Sequence, residues 1–551
     1  MQQGDPLGPL LFSLVLQTLT QKIKEACPNL ALNVWFLDDG TLIGRTDDVL
    51  RAVQIISEDG PRLGMQINPP KCELWWPTVN PRLHLFDTVF KRVDSAGVAL
   101  LGGALGAADF VAGNLERRVR KAEQALDVLA QFNDSQMELL LLRSCLGIPK
   151  LGYSMRTTPP HKITGPLRRF SSILSASLSR ILGDALSEAA LTQASLPIKM
   201  GGLGILDAVQ TAKAAFISSS QQTRALQAAI MGSDEFEVPG VQEALAALYA
   251  ALPGPASPEE EEARWTLLRV QEAQPRQRQL MDPLYEAAFG RLLAEGSLRD
   301  QARLRACTFT HSGAFLEALP LPWLKLDSRE MSVACRLRLG LPVYQVDLAP
   351  RVCPACHSSP LTPDGHHSLI CSSSSDRISR HNHLCDVLAS FLRSCATGIV
   401  KREAPGLIPG AGDKPGDVTL SNWSEGKTGV FDLVVTSPVC SAYVAQAALE
   451  SGYAARLAED RKDDKAFAKC EEQGLVFVPL AVEAFGGWGP LAGKTFHILA
   501  NFAANRSGKT RVEEYRFFLQ RMAIALQRDN ARMVQSREPA YIPQEETFPP
   551  A

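Results

Sequence analysis

Three groups of residues in this 551-residue chain have types and spacings that could do chemistry. Asp38 and Asp39 stand side by side between the apolar runs Val34-Trp35-Phe36-Leu37 and Thr41-Leu42-Ile43, with Gly40 directly after them. Cys353, Cys356, His366, His367 and Cys371 fall within 19 positions. Asp417 and Asp432, 15 residues apart, each adjoin an apolar run, Val418-Thr419-Leu420 and Leu433-Val434-Val435. Carboxylates are the hard oxygen ligands that magnesium prefers. Two such ions, about 3.5–4 Å apart, can activate an attacking hydroxyl and stabilise a leaving oxygen in phosphoryl transfer. Thiolates with imidazole are zinc ligands.

Each group needs elements to hold it. Asp-Gly between apolar runs is a strong hairpin signal, so both acids are expected at a hairpin tip open to a groove. A solvated turn without chemistry has the same local pattern. The cysteine–histidine group reads Cys353-x2-Cys356-x9-His366-x4-Cys371, with His367 as the alternative third ligand. Chance cysteines in a loop are the competing reading, but the composition is that of zinc with a tight knuckle at each end. Zinc would supply folding energy that so short a segment cannot draw from a core. Carboxylates borne by neighbouring strands can converge on one metal. Two acids at strand ends in a loop-rich α/β domain would look alike.

The rest of the chain bounds the class. The composition is 45% hydrophobic and 21% charged, as in a soluble globular protein, and its length allows roughly three to five domains. No apolar run of about 18 residues marks a membrane span, and no secretory signal is expected. Twelve cysteines are too few for a disulfide scaffold and suit a reducing, intracellular compartment. The net charge of −2 argues against a strongly basic nucleic-acid binder. Locally, however, residues 111–199 hold 12 Lys/Arg against 7 Asp/Glu, a net of +5. Apolar residues at Leu115, Val119, Leu126 and Leu129 predict a helix, and a helix is expected to stop near Gly147-Ile148-Pro149. The stretch from 252 to 262, with three prolines and four glutamates, reads as a linker. WTLLRVQEAQ (265–274) and PLYEAAFGRLLAEG (283–296) read as helices, as does SRHNHLCDVLASFL (379–392). GLVFVPLAVEAFGGWG (474–489) reads as a buried strand and a glycine turn. The tail after 535 is expected to be disordered.

Residues 2–11, QQGDPLGPLL, resemble the B motif of reverse transcriptases, especially those of non-LTR retrotransposons. Phe36-Leu37-Asp38-Asp39 resembles the aromatic-x-Asp-Asp box of the same enzymes. GMQINPPKCELWW (64–76) is similar to their D motif and VALLGGALG (98–106) to their E motif. The resemblance implies that Asp38 and Asp39 bind Mg2+, and that Gln3, Gly4 and Phe36 shape the template–nucleotide pocket. It places Lys71 near the departing pyrophosphate, where a cation would neutralise developing charge. The helical stretch after the palm resembles the family's thumb, with Arg117, Arg118, Arg120 and Lys121 as candidate phosphate contacts. A solvated helix face would explain the same four residues. The family's first metal-binding aspartate lies in an A motif upstream of QQGD and has no counterpart here, so the expectation is a polymerase-inactive fragment.

The C-terminal part resembles the zinc knuckle and restriction-enzyme-like endonuclease of early-branching non-LTR elements, of the PD-(D/E)-x-K class. Arg380-His381-Asn382 resembles the family's Arg-His-Asn box, and Pro415-Gly416-Asp417 its Pro-Asp box with one residue inserted. The resemblance gives Asp417 and Asp432 a catalytic Mg2+ and gives Arg380 and His381 to nucleic acid. The lysine of this class lies displaced on a later helix, where Lys462, Lys465 and Lys469 are candidates. Lys465 is preferred, because it shares a helix face with Lys469.

The fold expected is α+β multidomain. It comprises a partial palm with an antiparallel sheet (1–110), a helical thumb (111–206), a helical connector (207–345), a zinc knuckle (346–378), an α/β nuclease domain (379–535) and a tail (536–551). The function implied is that of a retrotransposon reverse transcriptase fragment with an endonuclease-like domain, acting on an RNA template and a DNA target or primer in the nucleus. The alternatives are a non-catalytic nucleic-acid-binding relic and a stand-alone metal-dependent DNA endonuclease.

Overall fold

A computed structural model describes residues 5–252, 254, 258–259, 276–344, 351–409 and 414–538, with the backbone alone at 351 and 463–465. Gln3 and Gly4, most of the 252–262 linker, the helix expected at 265–274 and the tail beyond 538 lie outside the described residues. The chain forms two compact units, each assembled from segments discontinuous in sequence. One comprises 1–120, 151–168 and 209–280, the other 121–150, 169–208 and 281–551.

The first unit opens with α1 (Gly8–Ala26), a hairpin of β1 (Leu32–Phe36) and β2 (Asp39–Ile43), and α2 (Thr46–Asp59). Leu16, Leu19 and Ile23 of α1 bury against Ala52 and Ile55 of α2, with Trp35 and Leu42 of the hairpin packed on the cluster. The opposite side of α1 leaves Leu10 and Leu14 exposed, as is Leu7 just before the helix. Two further pairs follow: β3 (Glu73–Leu74) beside β4 (Lys91–Arg92), and the hairpin of β5 (Gly97–Leu100) and β6 (Gly103–Gly106). The expected palm sheet is therefore three separate two-stranded pieces among the described residues. The β1–β2 hairpin draws its stability from the α1–α2 cluster it packs on, since a lone hairpin is marginal in water.

Helix α3 (Ala108–Ala130) carries the predicted apolar stripe, and Leu115, Val119, Leu126 and Leu129 are all buried. The expected break falls at Gly147, after a wide turn over Leu142–Leu146 and before α4 (Ile148–Thr157). A Cβ at Gly147 would sit 2.3 Å from the Leu142 carbonyl oxygen, so the break requires glycine. Further helices fill both units, including Thr164–Leu182, Ala208–Gln222, Gln277–Glu295 and Ser328–Leu339.

The C-terminal part of the second unit contains the largest sheet among the described residues, a mixed one. Its order is β12 (Val476–Glu483), β11 (Lys427–Thr436), β10 (Val418–Ser424), β9 (Val400–Arg402), with β11 and β12 parallel and the other pairs antiparallel. Strands β7 (Arg351–Val352) and β8 (Pro360–Leu361) and the short α5 (His366–Ile370) precede it. Helices α6 (Asp376–Cys395), α8 (Pro490–Ser507) and α9 (Arg511–Gln535) bury Leu384, Leu388, Phe391, Phe496 and Phe518 against Val418, Phe431, Leu433 and Leu480. Alternate strand residues point the other way. There Val430 and Phe477 meet Ala466 and Cys470 of α7 (Tyr453–Glu472). The sheet is thus covered on both faces, which explains why β12 reads as a continuous apolar run.

Candidate functional site

The β1–β2 hairpin presents the acid pair. Phe36 pairs with Asp39 and Trp35 with Gly40, so the turn is Leu37-Asp38, two residues before the Asp39-Gly40 pair expected from the sequence. Leu37 takes φ 57°, a left-handed conformation that costs a branched side chain about 1–2 kcal/mol. Positive φ at the first turn residue alone is not the type I′ pattern. Gly40 serves a different purpose: a Cβ there would lie 2.7 Å from the Trp35 ring, so glycine lets the indole cover the strand. Asp38 and Asp39 are both exposed at the tip, as expected, and Phe36 beside them is 65% exposed. Lys71 is exposed in a short turn after Pro69-Pro70.

Of the basic residues on α3, Arg117, Arg120 and Lys121 are exposed, and Arg120 lies 3.6 Å from Glu116. Arg118 is committed to the fold. It donates to the Ser154 hydroxyl at 3.0 Å and to the Gly102 carbonyl, tying α4 and the β5–β6 turn to α3.

In the second unit, Cys353, Cys356, His367 and Cys371 place one ligand atom each within 4.8 Å of the others. Tetrahedral zinc bonds of about 2.3 Å to sulfur and 2.0–2.1 Å to nitrogen put sulfurs about 3.8 Å apart, and sulfur and nitrogen about 3.6 Å apart. Cys353 Sγ lies 3.9 Å from Cys371 Sγ, and Cys356 Sγ lies 3.5 Å from His367 Nε2. The donor set therefore fits zinc. Hydrogen bonds from Ser358 and Ser359 bring the Cys356 thiol down to about 5, favouring the thiolate a metal needs.

The preferred third ligand, His366, is corrected to His367. His367 and Cys371 are four apart across the helical turn of α5, hence on one face, while His366 faces inward. Its ring stands edge-on to Phe485 at 6.2 Å, with Nδ1 3.3 Å from Asp364. Arg537, at the end of α9, reaches the Cys353 and Cys371 thiols and pairs with Asp376 at 2.8 Å, which ties the cluster to the sheet domain.

The second acid pair converges across β10 and β11. Asp417 precedes β10, and its Oδ2 accepts the Leu433 N–H at 2.7 Å. His381 Nε2, on α6, lies 2.9 Å from Asp417 Oδ1. Asp432 shares the α7 face of β11 with Val430 and comes within hydrogen-bonding reach of Asp417. Lys462 of α7 closes the group, with Nζ 2.6 Å from Asp432 Oδ2. The inserted Gly416 packs against β11, where a Cβ would sit 2.6 Å from Val430 and 3.1 Å from the Phe431 carbonyl.

The two carboxyls are driven apart. Burial pushes Asp417 up, but hydrogen bonds from His381 and Leu433 and the Lys462 charge outweigh it, and its pKa falls below the ordinary value. Burial, aided by the Asp417 charge, raises Asp432 against the pull of Lys462.

Lys465, the lysine preferred from sequence, has its side chain outside the described residues. The helix face that meets the sheet holds Ala466 and Cys470, four and eight residues beyond Lys462, whereas Lys469 is exposed. Arg380 is corrected as well. It is 4% exposed and donates to Asn530 Oδ1 at 2.8 Å and to the Leu369 carbonyl at 3.1 Å, so it braces α6 instead of meeting nucleic acid. Its neighbour His381, about 100° further round the helix, turns to Asp417.

Residues 1–102 match the family of reverse transcriptases (RNA-dependent DNA polymerases). The matched segment contains the Asp38–Asp39 hairpin, Lys71 and most of the β5–β6 hairpin. The chain is also similar to the retrotransposable element SLACS 132 kDa protein of Trypanosoma brucei gambiense, at 22% identity over 216 residues. That similarity covers 39% of this chain and 18% of the SLACS protein. The segment that matches the reverse transcriptase family therefore lies wholly in the first compact unit, and the cysteine–histidine cluster and the Asp417–Asp432 group in the second. Among the described residues, no helix is long and apolar enough to cross a membrane.

Proposed function

We propose that this chain comes from a retrotransposon protein that joins a reverse transcriptase segment, which handles an RNA template and a DNA primer, to a metal-dependent DNA endonuclease. The convergence of Asp417, Asp432 and Lys462 from β10, β11 and α7 carries the endonuclease reading. A hard divalent ion such as Mg2+, held by Asp417 and Asp432, would polarise a scissile phosphate. Lys462 then holds the attacking water or offsets the charge that develops on the phosphate. His381 orients Asp417 through its hydrogen bond. In the reverse transcriptase segment, Asp38 and Asp39 would offer carboxylate oxygens to Mg2+ at the hairpin tip. The Cys353–Cys356–His367–Cys371 cluster would hold structural zinc, and the protein would act on chromosomal DNA in the nucleus.

The test is nicking of supercoiled plasmid by the full chain in Mg2+. Asp432→Asn should abolish nicking while leaving the zinc content unchanged. Nicking that persists in Asp432→Asn sinks the endonuclease assignment. A second reading, nucleic-acid binding without cleavage, is favoured by the partners both acids already have, His381 on Asp417 and Lys462 on Asp432. Salt-sensitive binding of duplex DNA with no nicking in Mg2+ or Mn2+ would establish it.

A further inference from the structure

Asp417 belongs to two constellations at once. On one side stands Asp432, a hard oxygen donor. On the other stand His381 and Cys385, one helical turn apart on α6, which aim an imidazole and a thiol at the same carboxylate. The three ligand atoms of His381, Cys385 and Asp417 lie within 4.8 Å of one another. Cys385 Sγ is 3.6 Å from His381 Nε2, the separation that tetrahedral zinc sets between sulfur and nitrogen at about 2.3 and 2.0–2.1 Å. His381 Nε2 and Asp417 Oδ1, at 2.9 Å, need to part by only about 0.4 Å to reach the separation of two tetrahedral nitrogen and oxygen ligands. Cys385 is fully buried beneath the group, while the His381 and Asp417 side chains are 29% and 17% exposed, which leaves a way in for an ion.

We propose that His381, Cys385 and Asp417 form a second zinc site, distinct from the cysteine-rich cluster, with one coordination position left open. Histidine and cysteine four residues apart on a helix present both ligands on one face. A thiol and an imidazole select zinc over magnesium. Because Asp417 is common to both constellations, zinc at this site withdraws it from Asp432. On the endonuclease reading above, on which this consequence rests, micromolar Zn2+ suppresses Mg2+-dependent nicking.

The experiment measures zinc stoichiometry on the full chain, stripped with a chelator and titrated with Zn2+ against a chromophoric competitor. Wild type should bind two equivalents. Cys385→Ser, His381→Gln and Asp417→Asn should each bind one, and Cys356→Ser should also bind one by losing the other site. Because Cys385 lies in the core, His381→Gln is the variant that decides, and its retained first equivalent reports that the domain is folded. One equivalent in wild type, or a second equivalent that survives His381→Gln and Asp417→Asn, overturns the site. This readout does not involve cleavage. Two equivalents without nicking would uphold the zinc site and remove the endonuclease reading, whereas nicking with one equivalent would do the reverse.

Discussion

Lys462 meets Asp432 across the packed interface between α7 and β11, Nζ to Oδ2 at 2.6 Å. Lys462, Ala466 and Cys470 recur every four residues, so the face that buries Cys470 against Val430 and Phe477 also delivers the lysine to the acid. An ion pair that sits over a second carboxylate is placed by the packing of the helix on the sheet.

Substitution tells Lys462 apart from Lys465, the lysine preferred from the sequence. We expect Lys462→Met to lower the plasmid-nicking rate by about 10²–10³-fold, the usual loss when a fixed positive donor is removed from a site of developing charge. Lys465→Met should stay within a few-fold of wild type. If Lys465→Met were the inactive variant, the assignment made from α7 would be wrong.

The two adjacent histidines should behave differently. His367→Ala should lose the zinc of the cysteine-rich cluster, since His367 Nε2 stands 3.5 Å from Cys356 Sγ. His366→Ala should keep that zinc but lower the melting temperature, because it removes a ring packed against Phe485. Metal content after gel filtration, together with a thermal melt of each variant, checks both.

Glu483 gives the fold a pH dependence. It is fully buried at the end of β12 and accepts the Ala455 N–H at 3.3 Å. Burial raises its pKa from the ordinary 4.5 to about 7, against hydrogen bonds from Ala455 and Ala454. Between these values the folded state holds a proton that the unfolded chain has lost. Stability is then highest below the unfolded value and falls as pH rises through about 7, where it levels off, by roughly 3 kcal/mol in all. Glu483→Gln should flatten this dependence and melt higher than wild type at pH 8. Parallel melting curves for the two proteins from pH 5 to pH 8 would refute the assignment.

The arginines of α3 divide by their partners. Arg118→Ala should destabilise the first unit, since Arg118 bonds Ser154 and the Gly102 carbonyl. Arg117→Ala and Arg120→Ala leave the fold intact. If these residues meet duplex phosphates, each substitution should reduce the slope of log K against log salt by about 0.9. Nucleic-acid affinities at several salt concentrations, with melts alongside, separate the two effects.

The sequence alone placed the elements that carry the sites. The Asp38–Asp39 hairpin, the break at Gly147, the helix bearing His381 and the strands beside Asp417 and Asp432 all follow from local patterns of apolar residues, turns and glycines. It also picked out the three cysteines that the fold gathers beside His367, because their short spacing leaves few other uses. What it could not determine depends on which face of an element meets another. His367 rather than His366, Lys462 beside Asp432, and Arg380 turned inward while His381 turns to Asp417 are each decided by rotation about a helix axis. A shift of one residue turns a side chain by about 100°. The phase at which α6 and α7 pack on the sheet is set by burial of Leu384, Leu388, Ala466 and Cys470 against strands distant in the chain. That burial is a tertiary event, and it alone decides which polar side chains are left facing Asp417 and Asp432.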